Sequence, residues 1–202
     1  MRVHLESLEQ MRTFAAALAD HLRAGDLLIL TGNLGAGKTT FTQSLGKALD
    51  VAGRITSPTF IIAREHPSRS GGPALVHVDA YRLADGEELE DLDLDSEFDE
   101  SITVVEWGAG MAEQLSSDHL DITITPVWDE AAAAAGGNES VGADDADEDE
   151  RRTVDLTGRG AAWAERMSAV EAAVSALPGV RVEGPAAADR PVEDSAKEGD
   201  ES

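Results

Sequence analysis

Leu27-Leu28-Ile29-Leu30-Thr31-Gly32-Asn33-Leu34-Gly35-Ala36-Gly37-Lys38-Thr39 passes from a continuous apolar run into glycine and then into a helical pattern. An apolar run of this length, preceded by Gly25-Asp26 and followed by glycine, predicts a strand buried on both faces. From Thr39 to Leu49, Phe41, Leu45, Ala48 and Leu49 fall on one side of a predicted helix. Between the two, Gly32 to Thr39 satisfies G-x-x-x-x-G-K-[ST] in the strand-to-helix context that gives this pattern meaning. Its glycines let backbone N–H groups converge on phosphate oxygens, and the helix behind them adds the positive end of its dipole. Lys38 supplies a point charge for the β- and γ-phosphates, and the Thr39 hydroxyl is placed to ligate Mg²⁺. A glycine-rich turn with an incidental lysine is the weaker reading, because it would not require this context.

Upstream, residues 5–24 open with Ser7 and Gln10 in capping-box spacing and continue with Leu8, Met11, Phe14, Ala15, Leu18 and Leu22 at helical intervals. Downstream, 60–63, 74–78 and 101–105 read as strands, with a Ser/Gly/Pro loop at 67–73. Strands mixed with helices over this length predict an α/β fold, a mostly parallel P-loop-type sheet flanked by helices. From Leu120 the pattern becomes strict alternation, as it does again over Thr153–Thr157, so 120–127 and 153–157 are expected to pair as a C-terminal antiparallel β arm. Trp163, Met167, Val170, Val174 and Leu177 mark an added C-terminal helix over 161–177. The expected organisation is a P-loop domain at 1–158 with an acidic insertion at 129–150, a helical extension at 159–180 and a polar tail at 181–202.

The chain has 202 residues, no cysteine, 40 acids and 16 bases, for a net charge of −24. Ten acids lie at 85–100, nine at 129–150 and seven at 183–202, accompanied by only two bases, so the rest of the chain is balanced at 14 of each. The net charge is local, and it argues against unassisted wrapping on nucleic acid, which needs cations to replace phosphate counterions. Absence of cysteine removes disulfides, thiolate zinc sites and cysteine nucleophiles together. No run approaches the ~20 apolar residues of a membrane span, and the expectation is a soluble cytoplasmic protein. The acid-rich 85–100 segment carries Leu89, Leu92, Leu94 and Phe98. It reads as a helix with one buried side, or alternatively as a docking face for a basic partner surface.

A Mg-nucleotide site needs a further acid at the C-terminal end of a strand beside the loop. Asp79 ends the 74–78 run and Glu106 ends the 102–105 run, so both are candidate catalytic acids, one to hold the metal and one to orient the attacking water. His77 shares a strand face with Asp79, but a histidine within an apolar strand reads better as a satisfied core residue than as a ligand. The Thr56-to-Phe60 stretch, with its hydroxyls and proline, reads equally as a γ-phosphate sensor or as a plain turn.

Together, GNLGAGKTT at Gly32–Thr40, SPTF at Ser57–Phe60, VDAYRL at Val78–Leu83 and Glu106-Trp107 after a β run resemble the TsaE (YjeE) family of small bacterial P-loop ATPases. The likeness spans about residues 5–158. It implies a role in making N6-threonylcarbamoyladenosine (t6A) at position 37 of tRNAs that read ANN codons. The implied partners are TsaB and TsaD, with TsaD performing the threonylcarbamoyl transfer and the ATP cycle resetting it. By position, the resemblance implies that Gly35, Ala36, Gly37, Lys38, Thr39 and Thr40 bind the ATP phosphates. It further implies that Thr39 and Glu106 ligate Mg²⁺, that Asp79 is the second acid, that Trp107 lies over the pocket and that Arg151 or Arg152 contacts nucleotide. The chain departs from the family pattern after Trp107, where Gly108-Ala109-Gly110 follows and the next acid is Glu113. Two other functions compete with the hydrolase. A small-molecule P-loop kinase is weakened by the absence of arginine from 85–100, and a non-hydrolysing nucleotide switch is disfavoured by Glu106.

Overall fold

The structure is a computed structural model that describes residues 1–56, 63–83, 85–90, 92, 98–127 and 150–184. Its strands are β1 (Arg2–Leu5), β2 (Leu27–Thr31), β3 (Ala63–His66), β4 (Ala74–Asp79), β5 (Ser101–Glu106), β6 (His119–Pro126), β7 (Arg152–Arg159) and β8 (Arg181–Glu183). Its helices are α1 (Leu8–Ala19), α2 (Lys38–Ala48), α3 (Gly86–Glu90) and α4 (Gly160–Ser175), with short 3₁₀ turns at Ala80–Arg82 and Ala112–Gln114. Among the described residues the strands form one sheet in the order β3-β4-β5-β2-β6-β7-β1-β8.

The middle of this sheet is parallel: β4 pairs with β5, β5 with β2 and β2 with β6. β2 and β5 are buried on both faces, because both faces of the sheet are covered there. One side packs Leu28, Leu30, Val104 and Ile122 against the buried faces of α1, α2 and α4. The other packs Leu27, Ile29, Val78 and Val105 against Leu89 of α3 and Ala112. Burial of Met11, Phe14 and Leu18 fixes α1 on the sheet, each worth about 1.5–3 kcal/mol of transfer free energy. Phe14 also meets Phe41 of α2 with ring centroids 5.9 Å apart. The predicted N-terminus of α1 forms, with Gln10 N donating to Ser7 Oγ at 3.3 Å, but the Gln10 side chain accepts from Glu6 N rather than from Ser7.

The β arm pairs antiparallel with Ile122 opposite Leu156 and Ile124 opposite Val154. The sheet does not stop there. β1 adds to β7 and β8 adds to β1, both antiparallel. Neither strand is visible as a pattern, since β1 shows only Val3 and Leu5 in alternation and β8 is three residues long. Residues 181–183, expected to begin the polar tail, are instead sheet. α4 lies against α1 and β7, burying Trp163, Val170 and Val174. Expectations for Ser57–Ile62, Leu94, most of the 129–150 insertion and the tail from 185 fall outside the described residues. Among the described residues no helix is long and apolar enough to cross a membrane.

Candidate functional site

β2 delivers the chain into the loop at Gly32, where a Cβ would collide with the Ile124 carbonyl oxygen of β6. Only glycine fits so close to a neighbouring backbone. The loop curls through Gly35 at φ +78° and ends at Gly37, whose φ of +105° makes it a left-handed cap for α2 with no side-chain capping bond. The first amides of α2 are therefore left for an external acceptor, at the positive end of the helix dipole.

Parallel pairing brings the two candidate acids to the same edge: Leu30 is opposite Glu106, and Glu106 is opposite Asp79. Glu106 is 2% exposed and fully engaged. Thr39 Oγ1 donates to its Oε2 at 3.0 Å, and His77 Nε2 is 2.8 Å from its Oε1. Thr42 Oγ1 lies 3.5 Å from the same Oε1 and donates to the Lys38 carbonyl at 3.0 Å. Asp79 Oδ1 accepts from Tyr81 N at 3.0 Å, which starts the 3₁₀ turn after β4.

Lys38 donates to the Gly32 and Asn33 carbonyls at 2.7 and 3.0 Å, folded back on its own loop. Burial pushes its pKa below the ordinary lysine value, a shift that Glu106 and Asp79 oppose. Its Nζ lies 3.7 Å from the centroid of the Trp107 ring, and Tyr81 packs on the same ring at 5.1 Å. Arg152 opens β7 opposite Pro126 and so reaches the same edge, where its Nε donates to the Ala36 carbonyl at 3.0 Å. Arg151 stands beside it, its carbonyl accepting from Val127 N and from Arg152. A groove of about 550 Å³ between α1 and α2 runs past Thr40, lined among others by Leu8, Arg12 and Ser44.

The profile of the family described as "Threonylcarbamoyl adenosine biosynthesis protein TsaE" matches residues 5–132. The chain belongs to the TsaE family. It is similar to the tRNA threonylcarbamoyladenosine biosynthesis protein TsaE of Streptomyces coelicolor, 50% identical over 155 residues that cover 76% of this chain and 94% of that one. The protein of the same name from Bacillus subtilis is 39% identical over 123 residues, 60% of this chain and 75% of that one. Among solved structures, the crystal structure of Bacillus subtilis YdiB matches with a TM-score of 0.60 at 25% identity, covering 87% of this chain and 93% of that chain.

The TsaE match spans the loop, Asp79, Glu106 and Trp107, but stops before Arg152 and α4. Of the residues singled out from sequence, Gly35 to Thr40 together with Asp79, Glu106, Trp107, Arg151 and Arg152 lie at one edge of the sheet, and Ser57–Phe60 lie outside the described residues. Glu113, the first acid after Trp107, accepts from Gly110 N at 2.8 Å and closes the turn there. Sequence reasoning missed three participants: Thr42, Tyr81 and the bond from His77 to Glu106. Thr42 follows Lys38 by one helical turn, a spacing that would have placed it beside Thr39. His77 was already on the Asp79 face, and only the β4–β5 register was needed to bring it to Glu106.

Proposed function

We propose that this TsaE-family chain is an ATP hydrolase acting with TsaB and TsaD as an accessory subunit in t6A formation at position 37 of tRNAs that read ANN codons. One observation carries the reading: a loop hydroxyl, Thr39 Oγ1, stands 3.0 Å from a buried carboxylate on the neighbouring strand, Glu106, with Lys38 on the same turn. A hydroxyl and a carboxylate are hard oxygen donors suited to Mg²⁺, which binds through one or two protein oxygens together with nucleotide phosphates. Among the described residues no group of three or more His, Cys, Asp or Glu is gathered to hold a metal alone. The donor set thus fits a cation that arrives with the nucleotide.

In this reading Lys38 leaves the Gly32 and Asn33 carbonyls for the phosphates, while the amides at the start of α2 hold the β-phosphate. Thr39 and Glu106 would hold Mg²⁺, which would supply positive charge to neutralise the charge that develops as the phosphate bond breaks. Asp79 orients the water that attacks the γ-phosphorus as the bond to ADP breaks. Arg152 braces the loop at Ala36, and the groove beside Thr40 takes the nucleoside end. The net negative charge suits contact with tRNA through the partners rather than directly.

The test is phosphate release from Mg-ATP by the chain alone and with TsaB, TsaD and tRNA. Release that depends on Lys38 and Glu106 is expected. Absence of any Mg-ATP binding by calorimetry, even with both partners present, overturns the proposal. Phosphorylation of an added metabolite would replace it with the kinase reading.

A further inference from the structure

Glu106 is a carboxylate on three rotatable bonds, buried at the end of β5, and a buried charge of this kind must be held by hydrogen bonds. Its two oxygens are held from opposite sides. Oε2 faces the loop, where Thr39 donates, and Oε1 faces β4, where His77 Nε2 stands at 2.8 Å with the ring 1% exposed. Thr42 is not an equal partner of Oε1. Its distance is 3.5 Å, and its single hydroxyl proton is already given to the Lys38 carbonyl at 3.0 Å. His77 is therefore the donor that fixes Oε1, and it does so from the sheet, independently of what the loop binds.

From this geometry we infer that His77 is a positioning residue for the cation: it pins one oxygen of Glu106 so that the other is presented to the metal beside Thr39. The inference rests on the reading of Glu106 as a Mg²⁺ ligand. A partner that orients a ligating carboxylate sets metal affinity without touching the metal. Among the described residues His77 bonds to neither the loop nor the Trp107 ring, so its effect falls on the cation and not on nucleotide held without it.

The experiment is a Mg²⁺ titration of a bound fluorescent ADP analogue, with affinity also measured in EDTA, for the wild-type chain, His77→Leu, His77→Gln and Glu106→Gln. His77→Leu should raise the half-saturating Mg²⁺ concentration about 10–100-fold while leaving metal-free affinity within about twofold. His77→Gln, whose amide nitrogen can stand near the Nε2 position, should recover much of the loss. A His77→Leu titration identical to wild type, or an equal loss of metal-free and Mg²⁺-dependent binding, overturns the inference. If His77→Leu does not fold, His77→Asn replaces it, since its shorter amide stops short of Oε1. Equal Mg²⁺ midpoints for the Asn and Gln variants then overturn the inference, and a higher midpoint for Asn supports it. Glu106→Gln separates the two readings: unchanged Mg²⁺ dependence there removes Glu106 as a ligand, whereas a loss there without one in His77→Leu removes only the role of His77.

Discussion

The Lys38 ammonium sits 3.7 Å from the centroid of the Trp107 ring, and Trp107 supports it from a left-handed backbone at φ +64°. That conformation is strained for a bulky residue, costing of order 1–3 kcal/mol. It is held by the bond from Trp107 N to the Leu30 carbonyl at 2.9 Å and by packing against Tyr81. On the proposed reading a bound phosphate would draw the ammonium away, and the indole would lose a cation from its face. Mg-ADP should therefore change the tryptophan emission of the chain, and Trp107→Phe should abolish the change. Retention of the full change in Trp107→Phe would place the reporter at another tryptophan.

Lys38→Ala removes the loop's buried ammonium and should cost about 2–5 kcal/mol of Mg-ATP affinity by calorimetry, the range for truncating a buried charged hydrogen-bonding group. On the proposed reading, Asp79→Ala should reduce hydrolysis more than binding. Its rate of phosphate release in the presence of TsaB and TsaD should fall about 10²–10⁴-fold, as for loss of a water-orienting acid or base, with calorimetric affinity little altered.

Arg166 of α4 clamps Asp26 at the start of β2, with NH2 to Oδ1 at 2.6 Å and NH1 to Oδ2 at 2.8 Å, and lies over the Trp163 ring at 4.0 Å. The side chains are 12% and 8% exposed. Breaking such a pair strands a buried charge, so Arg166→Ala should destabilise the chain by about 3–5 kcal/mol in urea unfolding. Replacing both partners with leucine should cost much less than Arg166→Ala alone.

His66 is buried on β3, its Nδ1 3.0 Å from the Ala52 carbonyl. Burial pushes its pKa below 6.5, while the bond to Ala52 opposes the shift. Between that lowered folded value and 6.5 the unfolded chain binds more protons, so stability rises with pH. The contribution is present in full above 6.5 and is lost as pH falls below 6.5 toward the folded value. His66→Gln should flatten this branch, by at most about 1.36 kcal/mol per pH unit, in urea unfolding followed from neutral to mildly acidic pH. An unchanged slope would show that another group carries it.

Local chemistry determined a large part of this protein. The apolar run at Leu27–Leu30, the glycines behind it and the lysine and threonine after them specify strand, loop and helix start within one short stretch, because each depends only on neighbouring residues. The same holds for Ser7 at the start of α1 and for the alternation that makes β6 and β7 an arm. Asp79 and Glu106 were legible as strand-end acids because a carboxylate after a buried run can lie only at the sheet edge.

Register and pairing were decided by the tertiary structure. That Glu106 meets His77 depends on how β4 and β5 align, and a shift of one residue would turn His77 to the other face. β1 and β8 carry too few apolar residues to announce themselves: β1 is a strand because β7 offers an edge to pair with, and β8 because β1 then offers the next one. Arg152 reaches Ala36 across 116 positions of chain because antiparallel pairing returns β7 to the loop edge. Such contacts have no local cause: they exist where burial of the whole sheet selects one alignment, and that selection involves residues far apart in the sequence.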